Sequence, residues 1–177
     1  MARSRIYHAL VVPLPVRQYG YRSWPGDIVE LGNGHLLMAY KASTHTGMDP
    51  SGADPAVEEQ DLGIATRLST DRGRTWSAET LLLPNPPGGG LYVHPSFLRL
   101  PDGELLISYI YRADTSPYYG HNYYRRSTDD GCTWGDQFVL TPRQGYVIMH
   151  NDKLLRLRDG RLIAPAEYKK DRPASHD

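Results

Sequence analysis

Cysteine is nearly absent. Cys132 is the only one in 177 residues, so no disulfide can form within the chain and any core must hold by packing. Long apolar runs are missing as well, and no stretch approaches the roughly 20 residues of a membrane-spanning helix. The start, Met1 to Arg5, is basic, but the apolar run Ile6 to Val12 is interrupted by His8 and closed by Pro13. That is a poor signal-peptide core and leaves a cytoplasmic location by default. Charge of one sign is lacking: 20 Lys and Arg face 20 Asp and Glu, which removes the electrostatic case for nucleic acid or an anionic membrane. The seven histidines form no H-x-H or H-E-x-x-H pattern, so no transition-metal site is expected. The acidic stretch around Asp49 and Asp54 lacks the sixth-position glycine of an EF-hand loop. Neither metal nor cofactor is expected. With no linker-like or low-complexity segment, one domain is expected.

What the chain has in quantity is turn chemistry and tyrosine: 17 Gly, 14 Pro and 13 Tyr. An octapeptide, Ser69-Thr70-Asp71-Arg72-Gly73-Arg74-Thr75-Trp76, returns 58 positions later as Ser127-Thr128-Asp129-Asp130-Gly131-Cys132-Thr133-Trp134. Both copies read S-T-D-x-G-x-T-W. Asp can hydrogen-bond backbone N–H groups ahead of it, and Gly takes positive φ without steric cost. Thr and Trp then lead toward the next strand, the Trp covering the turn with apolar surface. A second unit occurs three times: Asp27 to Tyr40 turning at Gly32-Asn33-Gly34, Pro95 to Tyr111 turning at Pro101-Asp102-Gly103, and Asp152 to Tyr168 turning at Arg158-Asp159-Gly160. Each is a hairpin by its central turn and flanking apolar runs. Turn residues cut every such run before helical length. Repetition of this kind specifies an all-β repeat architecture.

The octapeptide resembles the Asp-box, or BNR repeat, of the sialidase superfamily, whose six-bladed β-propellers carry this turn between the third and fourth strands of several blades. The string from Gly26-Asp27-Ile28 through Asn151-Asp152 to Ala164-Pro165-Ala166 is similar to bacterial exo-α-sialidase-like proteins over nearly the whole chain. The resemblance implies a partial six-bladed β-propeller of about two and a half four-stranded antiparallel blades. Blade one covers about 26–84, blade two about 92–142, and the first hairpin of blade three about 149–168. Because propellers close with roughly 4–8 blades, the chain reads as an N-terminal fragment. The resemblance makes Ser69, Asp71, Gly73, Thr75 and Trp76, with Ser127, Asp129, Gly131, Thr133 and Trp134, structural.

Inner strands of such propellers begin at a central tunnel on the catalytic face, which yields a set of candidates. Arg22, in Tyr21-Arg22-Ser23-Trp24-Pro25, resembles the first of three family arginines that grip a substrate carboxylate, although two residues rather than one precede the proline. A guanidinium fork suits that task. Asp27, His94, His150, Asn151 and Asp152 open the inner strands and would face the same tunnel; for each, a cap or core role competes with ligand contact. Tyr118 and Tyr119, on the loop between the second and third strands of blade two, could stack on a sugar ring. Asp49 and Asp54 are the general-acid candidates in the long insertion from Lys41 to Gln60, with a solvated acidic loop as the competing reading. The family's tyrosine nucleophile, its glutamate and the other arginines would lie past residue 177. Arg67 and Arg125 each stand two positions before a repeat serine and read as scaffold.

Two functions follow. One is a sialidase-like glycoside hydrolase removing terminal acidic sugars with retention, in which a tyrosine nucleophile avoids repulsion by the substrate carboxylate. As a fragment it would be inactive alone. The other is a non-catalytic carbohydrate-binding or interaction propeller. In both the partner is a glycan or a small acidic sugar, and the oligomeric state is unspecified.

Overall fold

The computed structural model describes residues 26–43, 61–112, 120–143, 145–149 and 154–170. All regular structure among them is β. The first sheet is an antiparallel meander of β1 (Asp27–Glu30), β2 (Leu36–Ser43), β3 (Asp61–Ser69) and β4 (Thr80–Pro84). The second begins with the same antiparallel succession, β5 (Leu91–Arg99), β6 (Leu105–Arg112), β7 (His121–Ser127) and β8 (Phe138–Val139). It is extended by β9 (Tyr146–Ile148) and β12 (Glu167–Lys169), while β10 (Leu155–Arg156) and β11 (Leu162–Ile163) form a separate hairpin.

The three expected hairpin turns form with one geometry. In the first, Gly34 N–H donates to Leu31 C=O (2.9 Å), Leu31 N–H to His35 C=O (2.8 Å), and the Asn33 side-chain oxygen accepts from His35 N–H (3.0 Å). The second repeats this through Gly103, Leu100, Glu104 and Asp102, and the third through Gly160, Leu157, Arg161 and Asp159. The glycine of each sits at φ between 80° and 89°. Asn or Asp at the second turn position fixes the bend by accepting from the backbone two residues on.

Alternation along β6 shows how the sheets stack. Leu105, Ile107 and Tyr109 face the first sheet, in a core with Leu37, Ala39, Ile64 and Phe97. Leu106 and Ile110 face the other way, packing with Met149 and Leu154 and with Tyr146 and Ile148 respectively. β6 is thus buried on both faces, against the first sheet on one side and against β9 of its own sheet, with Met149 and Leu154, on the other. The architecture is a partial β-propeller.

Two boundaries differ from the sequence reading. The inner strand of the second sheet begins at Leu91, ahead of Pro95, and absorbs His94 and Pro95 as an irregularity between Val93 and Ser96. Proline has no N–H for the ladder, so a bulge is the arrangement that accommodates it within the strand. The third unit likewise starts at Tyr146 rather than 149. There β9 meets β7 in parallel, His121 opposite Val147.

Candidate functional site

Of the residues singled out from sequence, Arg22, Asp49, Asp54, Tyr118, Tyr119, His150, Asn151 and Asp152 lie outside the described residues. Asp27 and His94 are described, and both meet β5. Asp27, half-buried at the start of β1, accepts from Phe97 N–H (2.7 Å) and from the Ser96 hydroxyl (3.3 Å) on one carboxylate oxygen. Its other oxygen accepts from Ile28 N–H (2.7 Å). The acid thereby ties the first sheet to β5 of the second, just past its irregularity. His94 stands within that bulge with φ of 55° and only 7% of its surface exposed. A left-handed backbone at a non-glycine residue is strained and is characteristic of sites where geometry is imposed.

Sequence reasoning passed over a tyrosine cluster at the far end of β5, β6 and β7. Tyr92 lies 4.8 Å from Tyr111 and 5.5 Å from Tyr109 between ring centroids, and Tyr123 lies 6.1 Å from Tyr111 and 6.5 Å from Tyr109. The signal was available, since Tyr92 opposes Tyr111 and Tyr109 opposes Tyr123 in the ladders. Burial, the largest cause in each, raises the phenol pKa of Tyr92, Tyr109 and Tyr123. Desolvation opposes the phenolate in each.

The repeated octapeptides fold identically. Ser69 hydroxyl accepts from Gly73 N–H (2.7 Å) and donates to Asp71 (2.9 Å), which accepts in turn from Thr75 N–H (2.8 Å) and the Thr75 hydroxyl (2.6 Å). Ser127, Gly131, Asp129 and Thr133 make the same four bonds at 2.7, 2.8, 2.8 and 2.5 Å. Hydrogen bonds from Thr75, and from Thr133 in the second copy, stabilise each carboxylate and lower its pKa to about 2. The residue before each glycine is also left-handed, Arg72 at 61° and Asp130 at 62°.

A second repeated network fixes the two arginines. Arg67 Nε donates to Tyr40 Oη (2.9 Å), and that hydroxyl donates to Glu79 (2.6 Å). In the next sheet Arg125 Nε donates to Tyr109 Oη (3.2 Å), which donates to the Gln137 side-chain oxygen (2.8 Å). Arg67 and Arg125 bind scaffold, as their repeated position implies.

The join to the third unit is polar and buried. Asn122 accepts from Met149 N–H (2.5 Å) and donates to Met149 C=O (3.2 Å), its amide taking the place of a strand. The ring nitrogens of His121 lie 2.6 Å from Thr141 C=O and 2.9 Å from Gly145 C=O. Among the described residues no group of three or more His, Cys, Asp or Glu side chains converges as a metal site would require.

No family model and no curated protein matches the chain. Solved structures do. An alpha-L-arabinanase of Penicillium chrysogenum, complexed with arabinobiose, is 20% identical at a TM-score of 0.51, covering 81% of this chain and 41% of its own. An alpha-L-arabinofuranosidase of Fusarium graminearum, in complex with an iminosugar inhibitor, is 16% identical at a TM-score of 0.51, covering 92% of this chain and 62% of its own. The same enzyme with arabinobiose gives 0.50. This chain therefore spans between 41% and 62% of the length of these neighbours. At such identities the likeness concerns the fold.

Proposed function

We propose that the chain is part of a glycoside-hydrolase β-propeller that removes terminal sugars from a glycan, with an acidic sugar of the exo-α-sialidase type as substrate class. The observation carrying this reading is the pair of superimposable S-T-D-x-G-x-T-W turns, each closed by the same four side-chain bonds. Such turns are the Asp-boxes of the sialidase superfamily, and the structural neighbours act on or bind arabinose-based sugars by their descriptions. The sheets correspond on this reading to blades at about 26–84 and 92–142, with a third begun at about 149–168. Arg22 is the proposed carboxylate ligand, with Asp27, His94, His150, Asn151 and Asp152 around it, Tyr118 and Tyr119 stacking on the sugar, and Asp49 or Asp54 as acid.

One observation favours the rival, a propeller that binds glycan without cleaving it. Two residues separate Arg22 from Pro25 where the sialidase motif has one, and Lys41 follows Tyr40 where the family places its acid. The test is titration of the 177-residue chain with sialyllactose and arabinobiose, alongside assays on fluorogenic sialoside and arabinofuranoside. Sialyllactose should bind, Arg22→Lys should weaken it, and neither glycoside should turn over. A preference for arabinobiose that Arg22→Lys abolishes would refute the acidic-sugar assignment. Turnover by the isolated chain would refute the idea that its nucleophile lies elsewhere.

A further inference from the structure

The two octapeptide turns are alike in backbone but not in what surrounds them. Beside the second lies a cavity of about 350 Å³ lined by Glu104, Arg126, Thr128, Thr133, Trp134 and Gly135. Arg126 Nε sits 3.1 Å from Glu104 Oε2, with side-chain exposures of 47% and 26%. One face of the Trp134 indole is held by Phe97, the rings stacked at 6.2 Å between centroids. The ladders show what the first turn has in place of the charged pair. Leu68 opposes Leu37 as Arg126 opposes Leu106, and His35 precedes β2 as Glu104 precedes β6. The turn therefore folds without Arg and Glu, and a solvent-accessible ion pair adds only about 0–1 kcal/mol. Turn formation does not account for them.

We propose that this cavity is a binding site for one neutral sugar residue of a glycan, separate from the glycosidase site proposed above and independent of it. Its parts suit that ligand. An immobilised indole offers an apolar surface to the C–H face of a pyranose or furanose. A carboxylate accepts from sugar hydroxyls, and the adjacent guanidinium donates to them. Glu104 and Arg126 neutralise one another, so an acidic sugar gains nothing here. The volume falls at the low end of small-ligand pockets, roughly 300–1,000 Å³. Along β6, Tyr109 and Tyr111 of the tyrosine cluster stand four and six positions beyond Leu105, roughly 13 and 20 Å of strand.

The test uses the 177-residue chain with lactose and arabinobiose as probes, read by calorimetry and by chemical-shift mapping. Arg126→Leu and Glu104→His install the residues of the first turn. Each should weaken binding of the neutral sugars at least tenfold while leaving the thermal unfolding midpoint within a few degrees. Arg22→Lys should leave that binding unchanged, which separates failure here from failure of the acidic-sugar reading. Perturbation should map to Trp134 and not to Tyr92 or Tyr111. Absence of binding by both probes, binding indifferent to Arg126→Leu, or shifts confined to the tyrosine end would each overturn the proposal.

Discussion

At the residue scale the two aspartates of the repeated turns are the best-defined groups in the chain. Asp71 and Asp129 have folded-state pKa values of about 2, below the roughly 3.9 of an unperturbed aspartate. The unfolded chain therefore binds more protons between those values, and stability must fall as pH falls. The contribution is fully present above pH ~4 and is lost on descending through pH 2. Thermal melts across that window should show a steep acid limb that Asp71→Asn with Asp129→Asn flattens, at the expense of a lower midpoint near neutrality. An acid limb of equal slope in the double variant would show that other carboxylates govern it. Sequence made these residues legible because the whole device lies within eight positions. The left-handed Arg72 was not legible, since arginine carries no preference for positive φ, whereas Asp130 before Gly131 is a residue type enriched there.

At the scale of elements the hairpins were read correctly because a local turn motif and a change in apolar periodicity marked each one. What sequence could not show is which strand faces what. The bond from Phe97 N–H to Asp27 spans 70 positions and that from Gly32 N–H to Asp130 spans 98, and no local pattern encodes either. The same holds for Asn122 and Met149, where an amide substitutes for a ladder. Burial on both faces makes β6 the most demanding strand. Ile110→Ala, at a site with no exposure, should cost about 2–5 kcal/mol in urea unfolding. Leu155→Ala, where 59% of the surface is exposed, should cost within about 0.5 kcal/mol. Equal losses would contradict the stacking described.

For the whole molecule, order falls away along the chain. The first two sheets share a core, whereas β10, β11 and β12 are exposed at every position, with Leu162, Ile163 and Tyr168 near 40% exposed. Amide hydrogen exchange should accordingly be fastest in β10 to β12 and slowest in β3 and β6, by several orders of magnitude, since exchange follows local opening. Uniform protection across all strands would be inconsistent with this gradient. Repetition made an all-β repeat architecture legible, and the resemblance of the octapeptide supplied the propeller. The candidate site was less so, because its proposed members are far apart in sequence and no local pattern joins them.

The bond from Gly32 N–H to Asp130, at 2.5 Å, and the contact of Asp130 with Arg99, at 2.6 Å, use one of the two octapeptide positions that the repeat leaves free. The first copy has Arg72 there. A copy of the first module in the place of the second would put Arg72 where Asp130 stands and leave the Gly32 amide without its acceptor. Asp130 thus joins the second sheet to the first at the turn end, as Asp27 does at the start of β1, and neither contact can be made by the residue types that the other repeat copy supplies there.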